Sequence, residues 1–411
     1  MAVQTTSNLT NSITNVYKGK YLQGAKKIRL YDQFATPYTD LGADGKTMDE
    51  LMRATNIYVP FISDMTPGSS AISQTADVTP QTLTDATAYI TSTSRGEALQ
   101  WSQQLTIQAY TDYTAAAYEK VGANAMETIE QLAIDAALSG SWVERYVARA
   151  SLDAGTSAHR ASDAIFRKYD AMLQMLRAPG YVNDDGSAEV WSAAMHPFVF
   201  HDISESGNVD VIGHYLDAGI HLNWELGQIG RFRLLSSPYA KVFGAAGADA
   251  ATAVADTLSA AASALATTIY STADNTTNID TGLFWWIGTE ETGNTFYPTN
   301  EPVRMLASDS TGTTYSYTVL GTGPNGGLRF AHDAGTALRN ADSVYTILFG
   351  GPTSLAKVFA TDVGEYGKTV GPKVDGLLDQ FNSLGWKYYG NYGRISEHRL
   401  LRYECSTSYE A

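Results

Sequence analysis

Two neighbouring stretches of the chain decide its fold: SDMTPGSSAISQTADVTPQTLTDATAYITST at residues 63–93 and TDYTAAAYEKVGANAMETIEQLAIDAALSG at residues 111–140. The first stretch is rich in Thr, Ser and Gly, and its side chains alternate around Tyr89. This pattern predicts a β-ribbon within Gly68–Thr93. Because an isolated two-stranded ribbon is only marginally stable in water, we expect it to need a partner surface.

The second stretch predicts one long helix over Thr111–Ser139. Glu119, Glu127 and Glu130 lie off its apolar face, and Gly140 stands where a C′ glycine is expected. At 1.5 Å per residue the helix is roughly 40 Å long. A ribbon attached to such a helix is typical of a subunit that reaches over its neighbours rather than of an enzyme. The apolar residues follow one another three or four positions apart, as one helix face requires: Tyr118, Val121, Ala125, Ile129, Leu132 and Ala136.

The composition fits a subunit whose surface is largely covered. Charged residues make up 17% of the 411 residues, against about 25% in ordinary globular proteins. A weakly charged soluble or secreted protein would show the same value. The net charge of −15 argues against a dedicated DNA-binding domain, since affinity for phosphate comes largely from Lys and Arg.

The charge is unevenly distributed along the chain. The first 31 residues hold five basic residues and no acidic one, so this segment carries +5 and the remainder −20. Such an arm suits contact with packaged nucleic acid or with an acidic patch on a neighbour. A solvated terminus is the alternative interpretation.

Export and membrane insertion are not indicated. Cys405 is the only cysteine, so no disulfide forms within one chain. The N-terminal residues lack the basic and apolar regions of a signal peptide, and no apolar run reaches the length of about 18 residues that a membrane helix needs. We therefore expect synthesis in the cytoplasm and no membrane partner.

The rest of the chain contains both helical and strand patterns, and the fold class that we expect for it is α+β. The Ala-rich residues 244–266 fit either a helix or a loop, and the patterns up to about residue 348 are β-rich. The other predicted elements are a helix over Ala161–Leu176, a strand over Glu189–Met195, a short helix over Pro197–Ser204, a glycine turn and strand over Gly227–Ser236, and a last strand over Ile395–Tyr403.

One segment matches the letters of a dinucleotide-binding motif. Gly321-Thr-Gly-Pro-Asn-Gly326 matches GxGxxG and follows a strand pattern. Pro324 removes a backbone N–H that would face a pyrophosphate, and the residues after Gly326 do not open a helix. We interpret the motif as a hairpin turn, so no cofactor is predicted.

No catalytic or metal-binding residue is predicted either. A helical zinc motif requires two histidines four residues apart, whereas His196 and His201 are five apart, and no HExxH occurs. His201, Asp202 and Ser204 are too close in sequence to fold into a triad, and no nucleophile elbow is present. Cys405 is interpreted as an inert thiol. The aromatic clusters Phe284–Trp286 and Trp386–Tyr392 are expected to anchor a core or a subunit interface rather than to bind sugars or bases.

Several short motifs occur in an order and spacing that resemble tailed-phage major capsid proteins. The resemblance is greatest to the coat-protein family of N-four-like podoviruses, and it covers Thr79–Phe243 and Tyr345–Tyr403. The residues that carry it are Thr79–Thr82, Ala125–Ala133, Met195-His-Pro197, Gly227–Ser237 and Gly385-Trp-Lys387.

The resemblance implies the Hong Kong 97-type fold. The implied parts are an N-terminal arm at residues 1–57, an extended β-ribbon loop at 58–106, a peripheral domain with the long spine helix at 107–180, an axial domain at 181–385 that carries a β-rich insertion at 244–340, and a C-terminal strand at 386–411 that returns to the peripheral domain.

The implied function is that of a major capsid protein of a tailed double-stranded DNA phage. Its copies would form hexamers and pentamers and close into an icosahedral head, and the protein would reside in the virion. The implied partners are other copies, a separate scaffolding protein, a portal, a cement protein and, weakly, the packaged DNA. A β-rich surface-layer protein or adhesin is the alternative, and a hydrolase built on residues 190–240 is a third reading. The first lacks an export signal and the second lacks a nucleophile elbow.

Overall fold

The computed structural model describes residues 30–38, 56–62, 65, 80–83, 85–108, 113–182, 189–205, 210–211, 225–246, 255–274, 285–289, 291, 294–311, 314–323, 326–340, 342–375 and 380–410. Most of the predicted arm, including its basic residues, lies outside this description, as do residues 66–79 of the predicted ribbon loop.

The described residues form a strand-rich α+β chain with few helices, which confirms the predicted class. The α-helices are α1 Gln103–Gln108, α2 Tyr113–Leu138, α3 Asp163–Met175 and α4 Pro197–Glu205. The strands are β1 Ala35–Pro37, β2 Asn56–Ile62, β3 Asp85–Thr91, β4 Thr93–Ser102, β5 Val143–Arg145, β6 Tyr181–Val182, β7 Glu189–Met195, β8 Asp210–Val211, β9 Glu225–Ile229, β10 Phe232–Ser236, β11 Val242–Ala246, β12 Ala255–Thr257, β13 Thr268–Ser271, β14 Trp285–Ile287, β15 Glu301–Thr311, β16 Thr314–Leu320, β17 Ala337–Asn340, β18 Asp342–Gly350, β19 Leu355–Phe359, β20 Lys368–Asp375, β21 Phe381–Arg394 and β22 Leu400–Cys405.

The contacts divide the chain into two compact units. The first unit contains Ala35–Ala133 and Leu355–Ile395, and the second contains Leu30–Phe34, Ile134–Ser354 and Ser396–Ala411. The sequence placed a boundary at residue 385 instead. Strand β21 continues through that position, pairing with β4 and β20 on both of its sides, so its two halves belong to the same unit.

The first unit is built on a five-stranded sheet in the order β1-β19-β21-β20, with β4 also paired to β21. Strands β2 and β3 form a separate antiparallel ribbon, in register from Asn56 opposite Thr91 to Ile62 opposite Asp85. The predicted stripe of α2 is buried throughout, with every member at or below 9% exposure. The buried face is wider than that stripe, because Glu130, expected outside it, is only 1% exposed.

The second unit is built on a nine-stranded sheet in the order β5-β22-β18-β7-β10-β9-β8, with β11 paired to β18 and β6 to β7. Its core centres on Phe349, whose ring lies 5.2, 5.0 and 4.7 Å from those of Phe166, Phe232 and Tyr169. Helix α3 packs against this core through Tyr169 and Leu173, which are both buried.

A second sheet in this unit contains β12 to β17 and forms a closed barrel. Its order is β12-β17-β14-β15-β16-β13, and Leu258 then bridges to Ser271 so that the first and last strands pair. The barrel begins after β11 and ends before β18, where Ala246 pairs with Asp342. Its interior holds its own cluster of buried apolar residues, among them Trp285, Tyr317 and Leu338.

Other predicted elements agree with the structure to within a few residues. Strand β7 has the predicted bounds, and α3 and α4 lie within or close to theirs. In the Ala-rich segment, residues 255–266 contain β12 and no helix, and residues 247–254 lie outside the description. The last strand begins at Leu400 rather than Ile395, because Glu397–Arg399 form a turn of 3-10 helix.

Candidate assembly surfaces

The base of the β2–β3 ribbon is fixed to the first unit. Ile57 and Ile90, on opposite strands, are each 3% exposed and belong to a cluster with Val358 and Ile395. Gly393 of β21 leaves room for Ile90, since a Cβ at this glycine would lie 2.3 Å from the Cγ1 atom of that isoleucine. The Asn391 side-chain amide donates to the Thr91 carbonyl at 2.8 Å. The ribbon therefore has an anchored base.

Beyond its base, this segment exposes large apolar side chains. Tyr89 is 68% exposed, Leu83 is 55% exposed and Met65 is 63% exposed. Scattered exposed apolar residues are ordinary, but three large ones on or beside the β2–β3 ribbon make this part of the described chain a candidate contact surface. The structure contains a two-stranded ribbon, in which β3 lies within the predicted Gly68–Thr93 and β2 precedes it. The need for a partner surface stays a prediction.

A groove opens on the five-stranded sheet of the same unit. Its volume is about 360 Å³, and it is lined by Gly96, Val370, Lys373, Gly385 and Trp386 among others. The groove lies where β20 departs from regular pairing, because the register shifts between Val370 and Lys373. Glycines on β4 and β21 leave the bottom of the groove without side chains. Cβ atoms at Gly96 or Gly385 would come within 3 Å of backbone oxygens on the paired strand.

Helix α2 holds both sides of this groove from within the first unit. The hydroxyl of Tyr118 donates to the Gly371 carbonyl inside the β20 irregularity at 3.4 Å. The Trp386 indole donates to the Asn124 side chain at 2.8 Å. The φ angle of Gly371 is +105°, a conformation that residues with a Cβ rarely adopt. The helix therefore fixes the groove in addition to burying its own stripe.

One end of this sheet carries a second exposed apolar set. Phe381 begins β21 and pairs with Ser102, the last residue of β4. Helix α1 follows β4 directly in the chain. Helix α1 exposes Leu105 at 41% and Ile107 at 79%, while Phe381 is 44% exposed and Val374 on the neighbouring strand is 55% exposed. Four large apolar side chains around one sheet end make it a second candidate contact surface.

The interior of the second unit contains a buried carboxylate that binds three arginines. Glu404 accepts hydrogen bonds from Arg149 at 2.9 and 2.6 Å and from Arg145 at 2.5 Å, and the Nε atom of Arg402 lies 3.2 Å away. Burial alone would raise the pKa of Glu404, but the hydrogen bonds and charges of the arginines hold it below its ordinary value.

The same basic residues hold the loop that follows β14. Arg149 donates to the carbonyls of Glu291 and Thr295, and Arg402 donates to that of Asn294. Lys241 donates to the Tyr297 and Asn300 carbonyls at 2.8 and 2.7 Å. Burial lowers the pKa of this lysine to about 8, against the opposing charge of Glu291. The cluster therefore holds the described backbone of this loop through the carbonyls of Glu291, Asn294, Thr295, Tyr297 and Asn300.

The glycine-rich motif forms a turn, as the sequence predicted. It is not a hairpin turn, because the strands before and after it, β16 and β17, do not pair with each other. The N–H groups of Gly321 and Gly323 donate to the carbonyls of Gly326 and Gly327. The chain then bonds to Leu265 and Ala266 through Leu328, and the next strand, β17, pairs with β12 and β14 instead of β16. No helix begins in described residues 326–340, which removes the element that a dinucleotide site needs.

The other sequence candidates are not brought together as a reactive site. Asp202 accepts from the backbone and hydroxyl of Ser408, and Ser204 donates to the His201 carbonyl at 2.8 Å, which leaves no triad. Cys405 is fully buried, and burial raises its pKa. Among the predicted aromatic anchors, Trp285, Trp286, Trp386 and Tyr388 are all at most 5% exposed, as core anchors are.

In the described parts of the chain, no group of three or more His, Cys, Asp or Glu side chains is arranged to hold a metal ion. No helix in those parts is both long enough and apolar enough to cross a membrane.

Comparison with known proteins gives matches in structure alone. No family model and no curated protein matches the amino-acid sequence. The capsid of Ralstonia phage GP4 aligns over 86% of this chain and 84% of its own, with a TM-score of 0.51 and 10% identity. A cyanophage Pam1 capsid chain (TM-score 0.46, 12% identity, 93% of this chain and 92% of its own covered) and a chain of Mycobacterium phage Che8 (TM-score 0.44, 7% identity, 91% and 90% covered) superpose less well. The chain therefore shares its α+β fold with a solved phage capsid.

Proposed function

We propose that this chain is the major capsid protein of a tailed double-stranded DNA phage, and that its copies assemble as hexamers and pentamers into an icosahedral head. The observation that carries the proposal is the β2–β3 ribbon, which is anchored at Ile57 and Ile90 and exposes Tyr89 and Leu83. The shared fold with the Ralstonia phage GP4 capsid supports the same conclusion.

In the proposed shell the ribbon of one subunit lies on the five-stranded sheet of the next. The groove beside Gly385 suits this role because its walls are apolar at Val370 and Trp386 and its floor is open backbone. An aromatic side chain such as Tyr89 would be buried there, and many such contacts around a ring add up without any large single interface. Lys373 and Glu97 at the groove offer polar partners for its hydroxyl.

The finer assignments belong to the same proposal. They are the Hong Kong 97-type arrangement of arm, extended loop, peripheral and axial domains, membership of the N-four-like podovirus coat family, and synthesis in the host cytoplasm. They also include a separate scaffolding protein, a portal, a cement protein and weak contact with packaged DNA. The absence of catalytic, cofactor and metal residues remains part of the proposal.

Electron microscopy of the full chain, expressed alone and with a candidate scaffolding protein, tests the function. We expect closed particles tens of nanometres across. Monodisperse monomer under both conditions would contradict the proposal.

Paired cysteines test the ribbon contact within such particles. Tyr89→Cys and Val370→Cys in one chain are expected to crosslink neighbouring subunits under oxidation, because each position is exposed in the single chain. Tyr89→Cys with Val182→Cys is the matched control, since Val182 is 55% exposed but lies on β6, outside the groove. Equal crosslinking of both pairs would refute the contact.

A further inference from the structure

Helix α4 is capped at its N-terminus by a histidine side chain. The His196 carbonyl accepts the N–H of Phe200 at 3.1 Å, which is the first hydrogen bond of the helix, and the Nδ1 atom of the same residue accepts the N–H of Phe198 at 3.3 Å. Ser, Thr, Asp and Asn are the residues that usually make this second contact. A histidine differs from all four because it can gain a positive charge at mildly acidic pH.

Protonation of His196 would remove this cap. The Nδ1 atom would then carry a hydrogen and would face the Phe198 N–H as one donor facing another. The imidazolium would also add a positive charge at a helix N-terminus, where the backbone dipoles already place a partial positive charge. The position of the first turn of α4 therefore depends on a neutral His196.

The same helix holds the terminal segment, Ser408–Glu410, which forms a turn of 3-10 helix after β22. The rings of Phe198 and Tyr409 are stacked, with centroids 4.1 Å apart and planes 17° apart. One helical turn later, the Asp202 carboxylate accepts the N–H of Ser408 at 2.8 Å and also its hydroxyl. Phe198 and Asp202 are four residues apart, so one face of α4 makes both contacts.

The histidine ring belongs to the same aromatic cluster as this stack. Its centroid lies 4.8 Å from that of Phe198 and 5.1 Å from that of Tyr345, and these two rings are 6.0 Å apart. A charged imidazole in this position would have to draw in water, since burying an ion among apolar rings is unfavourable. Any shift of Phe198 also moves the surface on which Tyr409 stacks. The cap and the terminal segment are therefore coupled through Phe198.

The terminal segment can leave α4 without disturbing the sheet. Its Tyr409 side chain is 57% exposed, so little burial opposes release. The chain before it is anchored separately, because the N–H of Ser406 donates to the His159 carbonyl at 3.0 Å and its hydroxyl donates to the Asp153 carbonyl at 3.1 Å. Thr407 lies between the anchored and the releasable parts and is 1% exposed. Release would therefore open the chain from Thr407 onward.

We infer that the terminal segment is a latch on α4, which opens and uncovers Phe198 when His196 takes up a proton. The latch goes beyond the proposed function, since it operates within a single chain. Burial lowers the pKa of His196 to about 4, against about 6.5 for an exposed histidine. The open form therefore binds the proton more tightly, and the closed form loses stability as the pH falls from about 6.5 to 4. With these values the opening equilibrium constant increases about a hundredfold from pH 7 to pH 4.

The other histidines nearby are the competing sources of such a pH dependence, because histidine is the side chain that ordinarily changes charge between pH 5 and pH 8. His201 on α4 is 68% exposed, and its Nε2 atom lies 3.9 Å from the Glu205 carboxylate. His159 contacts the chain before the latch through its backbone carbonyl. The remaining charged or titratable groups on the elements around the His196 ring are Asp202 and Glu205 on α4, Tyr345 on β18, Cys405 at the end of β22, Tyr409 in the terminal segment, and Tyr239 and Lys241 in the turn after β10.

A cysteine in place of Thr407 reports on the latch in the full-length, unassembled chain. The Thr407 hydroxyl is buried and forms no hydrogen bond within the described structure, so Thr407→Cys removes no polar contact there. The rate at which a dithiodipyridine reagent modifies this thiol, divided by the rate for an unstructured peptide of the same sequence at the same pH, measures opening. We expect the ratio to rise about a hundredfold from pH 7 to pH 4. Cys405, which is fully buried in β22, should stay protected, as mass spectrometry of the peptides can show.

Three histidine variants, each combined with Thr407→Cys, identify the group that takes up the proton. His196→Asn keeps a good N-cap that cannot be charged, so its ratio should stay near the pH 7 value down to pH 4. His201→Asn and His159→Asn should each retain the full rise. A ratio that does not change with pH overturns the inference, as does a rise that survives His196→Asn. Parallel modification of Cys405 also overturns it, since the sheet would then be unfolding as a whole. Each of these outcomes would leave the proposed function standing.

Discussion

Arg149 binds Glu404 through two parallel hydrogen bonds, from Nε to Oε2 at 2.9 Å and from Nη2 to Oε1 at 2.6 Å, with both side chains at most 3% exposed. Bidentate geometry of this kind is the strongest that an arginine and a carboxylate can adopt. Because Glu404 lies on β22 and Arg149 also holds the loop after β14, this pair links the nine-stranded sheet to the barrel segment within the second unit.

Removing the carboxylate charge should destabilise the second unit strongly. Glu404→Gln leaves the buried Arg149 and Arg402 and the partly buried Arg145 without their common anion, and breaking a buried ion pair costs about 3–5 kcal/mol. Urea unfolding of the unassembled chain measures the loss. Glu205→Gln is the control, since that carboxylate is 66% exposed and lies 3.9 Å from His201. Equal midpoints for the two variants would contradict the assigned role.

The same carboxylate should make stability depend on acid pH. The arginines hold the pKa of Glu404 below its ordinary value, which in unfolded chains is about 4.3. As the pH falls below that value, the unfolded chain binds a proton that the folded chain does not, so the free energy of unfolding decreases. We expect unfolding midpoints between pH 7 and pH 3 to fall less steeply for Glu404→Gln than for the wild type.

His196 should add a second pH dependence at milder acidity. Burial lowers its pKa to about 4, and its Nδ1 atom accepts the N–H of Phe198 at 3.3 Å, which requires the neutral ring. The histidine of an unfolded chain has a pKa of about 6.5. Between these two values the unfolded state binds more protons, so stability decreases as the pH falls from about 6.5 to 4.

Two asparagine variants isolate this effect. His196→Asn should flatten the fall in stability between pH 6.5 and pH 4, measured as thermal unfolding temperature against pH. His201→Asn replaces a histidine whose side chain is 68% exposed, so its profile should follow the wild type. If His196→Asn kept the full wild-type slope, the protonation of His196 would not be its source.

The ribbon base offers a test of anchoring. Gly393→Ala places a methyl group 2.3 Å from the Cγ1 atom of buried Ile90, so the ribbon must shift. We expect faster amide hydrogen exchange in β2 and β3 and slower particle assembly. The double variant Ile90→Ala with Gly393→Ala removes the clash and should recover part of the protection. Unchanged exchange in the single variant would argue against close packing at this point.

The basic arm remains a prediction from sequence, since it lies outside the described residues. Replacing Lys18, Lys20, Lys26 and Lys27 with Glu should reduce the yield of DNA-filled heads or of assembled particles. The reason is that counterion release favours cationic contacts with DNA. Counting filled and empty particles by electron microscopy provides the measurement, and unchanged proportions would remove the arm from the proposed DNA contact.

The long helix could be predicted because its stripe is local and periodic. From Tyr118 to Ala136 each member recurs at helical spacing, and each is buried. The burial of Glu130 could not be predicted in this way, since it depends on what else packs against the helix. Strand β7 could be predicted equally well. It is buried on both faces, and such a strand is recognised in sequence as a short, nearly continuous apolar run.

Strand β21 could not be predicted from the sequence because it contains several glycines. Gly385, Gly390 and Gly393 resemble strand breakers in sequence, yet Cβ atoms there would lie 2.8, 2.3 and 2.3 Å from Glu97, Val358 and Ile90 atoms. They mark close approach of neighbouring segments rather than an end of the strand. The Glu404 cluster was hidden for a related reason, since Arg145 and Arg149 lie more than 250 residues away from it in sequence.

The pairing of Ala246 with Asp342 at the junction of β11 and β18 has a consequence for how such chains can change. The two ends of the barrel segment emerge from adjacent positions on neighbouring strands, about 5 Å apart as in any antiparallel pair. Lengthening that segment, or exchanging it, asks that the new ends meet the same spacing and that the carbonyl partners of Arg149, Lys241 and Arg402 are kept or replaced. The barrel is thus a natural grafting point, where a foreign domain with adjacent termini could be installed while the nine-stranded sheet keeps its register.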